Sequence, residues 1–249
     1  MITMLALAGV SITYAEGDMI WSSDMTQGNY AITNSEDFTL TAETTWSSGD
    51  FTTMPGYVYV DGASKVSFEG GSVGLMLSNS FTISMDCNLK GVGSTTQSSY
   101  YLMQISESAG WEFGVEYNTN TGAITLSQNA NTYTFSDITS YGAYAITDIN
   151  NVTFTMVGEA NKDGVMSVYV NGTLAASGIM AGNNRHDTST INSGLTFLRN
   201  RDDKYGSIKG FVGGVSAVRV YSGVVIPEPA TATLSLLALA GLAARRRRK

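Results

Sequence analysis

From about residue 18 to residue 225, apolar and polar side chains alternate with a period of two rather than 3.6. The clearest run is Phe81-Thr82-Ile83-Ser84-Met85-Asp86-Cys87-Asn88-Leu89, with every odd position apolar and every even position polar. Successive side chains on a strand point to opposite faces, so the run predicts a strand with one face in a core and one in water. Shorter runs predict further strands at 38–45, 57–60, 65–68, 73–77, 100–105, 111–117, 123–126, 132–135, 152–157, 165–170, 195–198 and 211–221. Turn residues separate them, among them Asp61-Gly62, Asn120-Thr121-Gly122, Asp163-Gly164 and Asn171-Gly172. Strands in this number, with no internal helix, predict an all-β sandwich of two antiparallel sheets. No exact repeat supports a solenoid or propeller, and no Pro- or Ser-rich linker divides the region, so one domain is the simpler count.

Composition agrees. Charged residues make up 14% of the 249, against roughly 25% in ordinary soluble domains. The 27 glycines and abundant Ser, Thr and Asn suit strands joined by tight turns. The single cysteine, Cys87, excludes an internal disulfide framework and a Cys-rich zinc site. It falls on the apolar side of its run and is expected to be a small buried hydrophobe. The single histidine, His186, lies in a polar stretch at 183–189 that predicts a loop. No G-x-S-x-G accompanies it, so His-based nucleophilic catalysis and multi-His metal binding are disfavoured.

Charge is unevenly placed. The net value is −7, but the last five residues, Arg245, Arg246, Arg247, Arg248 and Lys249, hold five of the 14 basic side chains. Residues 1–244 therefore carry 9 basic and 21 acidic residues, or −12. Such a body argues against binding nucleic acid or anionic lipid by simple attraction.

The two ends look like addresses. Residues 2–10 are apolar, Thr13 and Ala15 fit the −3 and −1 positions of a signal-peptide cleavage site, and Glu16-Gly17-Asp18 follows. No Lys or Arg precedes the apolar run, which leaves an atypical signal or a start codon called a few residues too late. A buried first strand or helix is the plainer alternative. At the other end Pro227-Glu228-Pro229 interrupts any helix or central strand. Residues 230–244 carry no charge and would span about 22 Å as a helix, short of the ~30 Å hydrocarbon core unless the arginines snorkel. The basic end would stay cytoplasmic and the body would lie across the membrane.

Pro-Glu-Pro, a short helix of small residues and a terminal Arg run, in that order over 225–249, closely resemble the PEP-CTERM sorting signal of Gram-negative bacteria. The resemblance implies that Pro227, Glu228 and Pro229 are recognised by an exosortase, a membrane-embedded sorting enzyme. It implies that the helix and Arg245, Arg246, Arg247 and Arg248 retain the precursor in the inner membrane. The product is then expected at the cell surface, the outer membrane or in the extracellular matrix.

Three body segments resemble laminin-G-like domains: the strand and turn at 163–174 containing Tyr169-Val170-Asn171-Gly172, the closing run at 210–221, and Phe81-Thr82-Ile83-Ser84. In that family the closing strand usually carries an Asp where Ser216 stands here. The resemblance implies a laminin-G/concanavalin A-like jelly roll over roughly 18–225. The chain would then divide into a signal peptide at 1–15, the sandwich at 16–225 and the sorting signal, with its hydrophobic helix, at 226–249.

Chemistry is sparse. Some concanavalin A-like proteins are glycoside hydrolases, which need two positioned carboxylates. Glu112 and Glu116 in Trp111-Glu112-Phe113-Gly114-Val115-Glu116-Tyr117 would share a strand face about 13 Å apart. The spacing is similar to the E-x-D-x-E signature of laminarinase-like enzymes, but Gly114 replaces its central Asp. The plain alternative is a core face of Trp111, Phe113, Val115 and Tyr117 with two glutamates on the wet side. Asp202, Asp203, Asp61 and Asp163 are the calcium candidates, each equally at home as an ordinary turn residue. Tyr30, Tyr57, Tyr59, Trp46, Tyr141, Tyr144 and Tyr205 are near polar loops, compatible with a carbohydrate platform or with ordinary sheet packing. The expectation is a non-catalytic domain that binds a glycan or another extracellular polymer. The alternatives are a secreted glycoside hydrolase or lyase and a purely structural surface protein.

Overall fold

The computed structural model describes residues 18–24, 31–34, 53–54, 57–61, 66–69, 80–93, 98–107, 111–128, 134–159, 161–182, 194–200 and 210–226. The proposed signal peptide, the strands expected at 38–45 and 73–77, His186, and everything from Pro227 to Lys249, including the expected helix at 230–244, lie outside the described residues.

The described chain is built of strands: β1 (Met19–Asp24), β2 (Ala31–Asn34), β3 (Thr53–Met54), β4 (Tyr57–Asp61), β5 (Val66–Glu69), β6 (Phe81–Val92), β7 (Ser99–Glu107), β8 (Trp111–Asn118), β9 (Ile124–Gln128), β10 (Phe135–Ser140), β11 (Asn151–Val157), β12 (Gly164–Val170), β13 (Thr173–Met180), β14 (Gly194–Asn200) and β15 (Phe211–Ser222). One 3-10 turn, Ile146–Asp148, precedes β11. A ten-stranded antiparallel sheet runs β10-β13-β12-β11-β6-β15-β1-β2, with β4 also on β15 and β3 on β4. A five-stranded antiparallel sheet runs β5-β14-β7-β8-β9. The expected all-β architecture of two antiparallel sheets is the one observed.

The odd positions of β6 supply Phe81, Ile83, Met85 and Leu89, each 1% exposed or less. They join Phe154 and Met156 of β11 and Val218 and Val220 of β15 in one core with Tyr100, Met103, Ile105, Phe113 and Val115 of the smaller sheet. Aromatic rings lock the two layers together. Phe113 meets Phe135 edge-on at 6.1 Å and Phe154 at 6.0 Å, while Phe211 is flanked by Tyr100 at 5.7 Å and Tyr117 at 6.1 Å. Tilted and edge-on pairs of this kind add about 0.5–1.5 kcal/mol each beyond the area they bury.

Strands β1, β2, β3 and β13 are not among those the periodicity predicts, and in place of the strand expected at 132–135 stands β10 at Phe135–Ser140. Two local differences have physical causes. β13 was not expected, because Ala175, Ala176 and Gly178 have weak strand preference and the pairing slips at Val168/Tyr169. The wet face expected for β6 is wet only at its far end: Asn88 and Lys90 are exposed, but Thr82 is 0% and Ser84 7% exposed. What covers them defines the candidate site.

The Asn171-Gly172 turn joins β12 to β13 with φ of 49° and 79°, the geometry of a two-residue hairpin. The Asn171 side chain does more than turn the chain. Its Oδ1 accepts the backbone N–H groups of Asn150 and Asn151, both at 3.0 Å, and its Nδ2 donates to the Asp148 carbonyl at 2.6 Å. The hairpin thereby fixes the start of β11 and places Asn151.

Candidate functional site

Strand register lines up Ser22, Arg219, Ser84, Thr153 and Tyr169 across β1, β15, β6, β11 and β12. They alternate with core residues such as Ile83, Met85, Val218 and Val220, so the row belongs to the outer face of the larger sheet. Asp86, one step along β6 on the same face, is the hub. Its Oδ2 accepts from Arg219 Nη1 at 2.6 Å, and its Oδ1 accepts from Asn151 Nδ2 at 2.7 Å. Asn151 Nδ2 also reaches Ser84 Oγ at 3.0 Å, and Thr153 Oγ1 donates to Asn151 Oδ1 at 2.9 Å. Ser84 Oγ and Thr153 Oγ1 are 3.0 Å apart. Ser216 Oγ, at the position that departs from the family pattern, reaches the Asp86 carbonyl at 3.4 Å. Ser84 and Thr153 are buried and Asn151 is half-buried, while the Arg219 and Asp86 side chains stay 36% and 33% exposed. The result is a fixed, charged pair with its outer edge in water.

The same face is crossed further along by the chain that follows β15. After Ser222 the backbone turns at Gly223 (φ 86°), and Gly223 N–H donates to the Ser80 carbonyl at 2.8 Å. Thr82 Oγ1 donates to the Gly223 carbonyl and accepts from Val225 N–H, both at 2.9 Å. Val224 is 8% exposed. Val224 and Ile226 form one wall of a cavity of about 230 Å³ whose floor is Thr155, Val157, Val165, Ser167 and Tyr169. This strap explains the burial of Thr82.

The outer face of the smaller sheet holds Glu116, which pairs with Tyr101 of β7, while Glu112 pairs with Ser106 further along β8. It is not a wet face at Glu116, which is 4% exposed, beside Tyr101 at 0% and Gln104 at 1%. Gly114, between them, has no room for a side chain. A Cβ there would lie 2.4 Å from the Met103 carbonyl oxygen and 3.1 Å from Gln104 Cα and Tyr101 Cδ1. The β7 register slip between Tyr101 and Met103 brings this backbone close.

The other sequence candidates disperse. Cys87 is buried, its Sγ 3.5 Å from the Ile149 carbonyl, and burial, helped by the Asp86 charge, pushes its thiol up to about 12. Asp163 Oδ1 accepts the Gly182 N–H at 2.8 Å, a turn-fixing role. Asp61 ends β4; Asp202 and Asp203 lie outside the described residues, and among those described no three His, Cys, Asp or Glu side chains group as metal ligands. Tyr141 is 42% exposed with its hydroxyl 3.2 Å from Ser177 Oγ, whereas Tyr144 packs on the core and its carbonyl accepts from Tyr117 OH at 2.9 Å. Tyr57 and Tyr59 are on β4, while Tyr30, Trp46 and Tyr205 lie outside the described residues. Of these aromatic candidates the side chains described are Tyr141 and Tyr144, one exposed and one packed on the core. Asp86, Asn151 and Arg219 were missed by sequence reasoning. Their one signal was opposite charges at polar positions of two strands, 133 residues apart.

Comparison with known proteins is decisive for the family. The model of the concanavalin A-like lectin/glucanases superfamily matches residues 61–228. The chain belongs to that superfamily. The PEP-CTERM protein-sorting motif matches 225–249, as its three ordered parts led us to expect. The concanavalin A-like domain is thus joined to a signal for export through the membrane to the cell surface, recognised by exosortase. Solved structures similar to this superfamily member include laminin α1 domains LG4-5 from mouse (14% identity, TM-score 0.36), covering 68% of this chain and 42% of the laminin chain. The sialidase carbohydrate-binding module CBM40 of Ruminococcus gnavus, bound to α2,3 sialyllactose, is 11% identical over 68% of this chain and 91% of its own (TM-score 0.38). The alginate lyase Aly36B is 12% identical over 83% and 96% (TM-score 0.38). No curated protein matches. Among the described residues no helix is long and apolar enough to cross a membrane.

Proposed function

We propose that the sandwich is a non-catalytic binding domain for an extracellular glycan or similar hydroxyl-rich polymer, delivered to the cell surface by its sorting tail. The Asp86–Arg219–Asn151 constellation carries this reading. The Asp86 carboxylate is held by Arg219 and Asn151, and Arg219 is held by Asp86, so little side-chain freedom is lost when a ligand docks. Both keep an exposed edge, where fork-shaped donors and carboxylate acceptors suit vicinal hydroxyls. From Arg219 to Tyr169 the row crosses three strand intervals, about 14 Å, the length of a short oligosaccharide. Against catalysis stand the burial of Glu116 and the close packing at Gly114, which leave Glu112 and Glu116 without the intervening acid.

A glycan array followed by polysaccharide pull-down tests this. Wild-type protein is expected to retain at least one polymer without cleaving it, and Arg219→Met to lose at least ten-fold in affinity. Glu112→Gln with Glu116→Gln should bind like wild type. Polymer cleavage that disappears in the double glutamine variant would establish the hydrolase or lyase alternative instead. Binding to none of the polymers would favour a structural surface protein.

A further inference from the structure

We propose that residues 223–226 form a strap that couples the folded state of the sandwich to the availability of the sorting motif, docked when the domain is complete and undocked when the sorting enzyme engages. The inference rests on the sorting reading of the tail. Pro227 follows Ile226 directly, so no spacer separates the motif from the residues held on the sheet. The strap is held by a single side chain in the middle of the sheet. The Thr82 hydroxyl is donor to Gly223 and acceptor for Val225, so both bonds depend on one oxygen. Val224 adds apolar burial, and Gly223 N–H adds a bond to the Ser80 carbonyl, while the Ser80 hydroxyl accepts the N–H of Gly158, just past β11, at 3.2 Å. Four strands therefore hold or underlie the strap: β6 before and at Thr82, β11 and β12 beneath it, and β15 leading into it.

An enzyme that binds an extended segment by strand addition uses its main-chain groups, and here those just upstream of the motif are already bonded to the sheet. Engagement requires local opening, and a rate that passes through an opened state tracks the population of that state. A sandwich lacking β11 or β12 has no floor for the strap; the complete one holds residues 223–226 against the sheet, immediately before the motif. The device is a two-state element whose closed form reports completed folding.

The full-length chain tests this in cells that carry the sorting enzyme, by the rate at which precursor loses its tail, and in purified form by hydrogen exchange. Thr82→Val removes the oxygen and Val224→Ser loosens the strap without touching the sheet; Thr82→Ser keeps the hydroxyl. The Gly223 N–H is the reporter, because neither Thr82 variant alters its own partner, the Ser80 carbonyl. Expected are roughly five- to thirty-fold faster exchange at Gly223 and faster tail loss in Thr82→Val and Val224→Ser, with Thr82→Ser like wild type. Unchanged exchange at Gly223 in both loosened variants, or faster exchange with unchanged tail loss, would overturn the strap. A wild-type chain that keeps its tail in those cells, while exchange responds as expected, would overturn the sorting reading and the proposal with it.

Discussion

The outer faces of the two sheets carry polar side chains at equivalent alternate positions, yet they are buried in different ways. On the larger sheet Ser84, Thr153 and Asn151 are covered by one another and by an ion pair whose outer edge remains in water. On the smaller sheet Tyr101, Gln104 and Glu116 are almost fully enclosed beside a backbone-to-backbone approach at Gly114. The first face keeps charged groups where a ligand can reach them. The second keeps its carboxylate away from solvent. Alternation tells which way a side chain points, and the neighbours decide whether water is there.

The sharpest break of this comparison is Gly114→Asp, which writes the missing acid into the glutamate strand. The Cβ alone meets the Met103 carbonyl at 2.4 Å, and the carboxylate would be placed on an enclosed face. A loss of about 3 kcal/mol or more is expected in urea denaturation, with no gain of polysaccharide cleavage. On the larger sheet, Asn151→Ala deprives Asp86, Ser84 and Thr153 of a shared partner without creating a clash. A cost of about 1–3 kcal/mol is expected by the same measurement, so equal losses in the two variants would remove the contrast.

The smallest effect lies on the reverse of β6. Cys87 points away from the Asp86 network, and its thiol is raised to about 12 from an ordinary value of about 8.5. It should resist alkylation at pH 8 in the folded protein and react fully in urea. Because the folded value is the higher one, its contribution to stability is complete below about pH 8.5 and is lost as pH rises toward 12. Prompt labelling of native protein at pH 8 would show that this side of β6 opens readily.

Much of the architecture was legible in the chain. The alternation at Phe81–Leu89, the Asn171-Gly172 turn and the closing run all became elements of the expected kind, because each is local. β13 escaped because small residues pack well there without advertising a strand. The site escaped for a different reason. Asp86, Asn151 and Arg219 come from three strands, and register brings them together. No spacing in the sequence encodes that meeting. Glu112 and Glu116 were legible for the opposite reason, both lying on one strand, but the strands that enclose Glu116 are β7 and β9.

The place of β15 in the larger sheet has a mechanical consequence. Its C-terminal end leads straight into the tail, and its flanks are β6 on one side and β1 with β4 on the other. Tension applied through the tail would meet two elements in series. The strap would peel first, its few bonds failing one after another at low force. The load would then pass to β15, which is bonded on both flanks, so the domain yields a few residues of strap before any strand of the sheet is pulled.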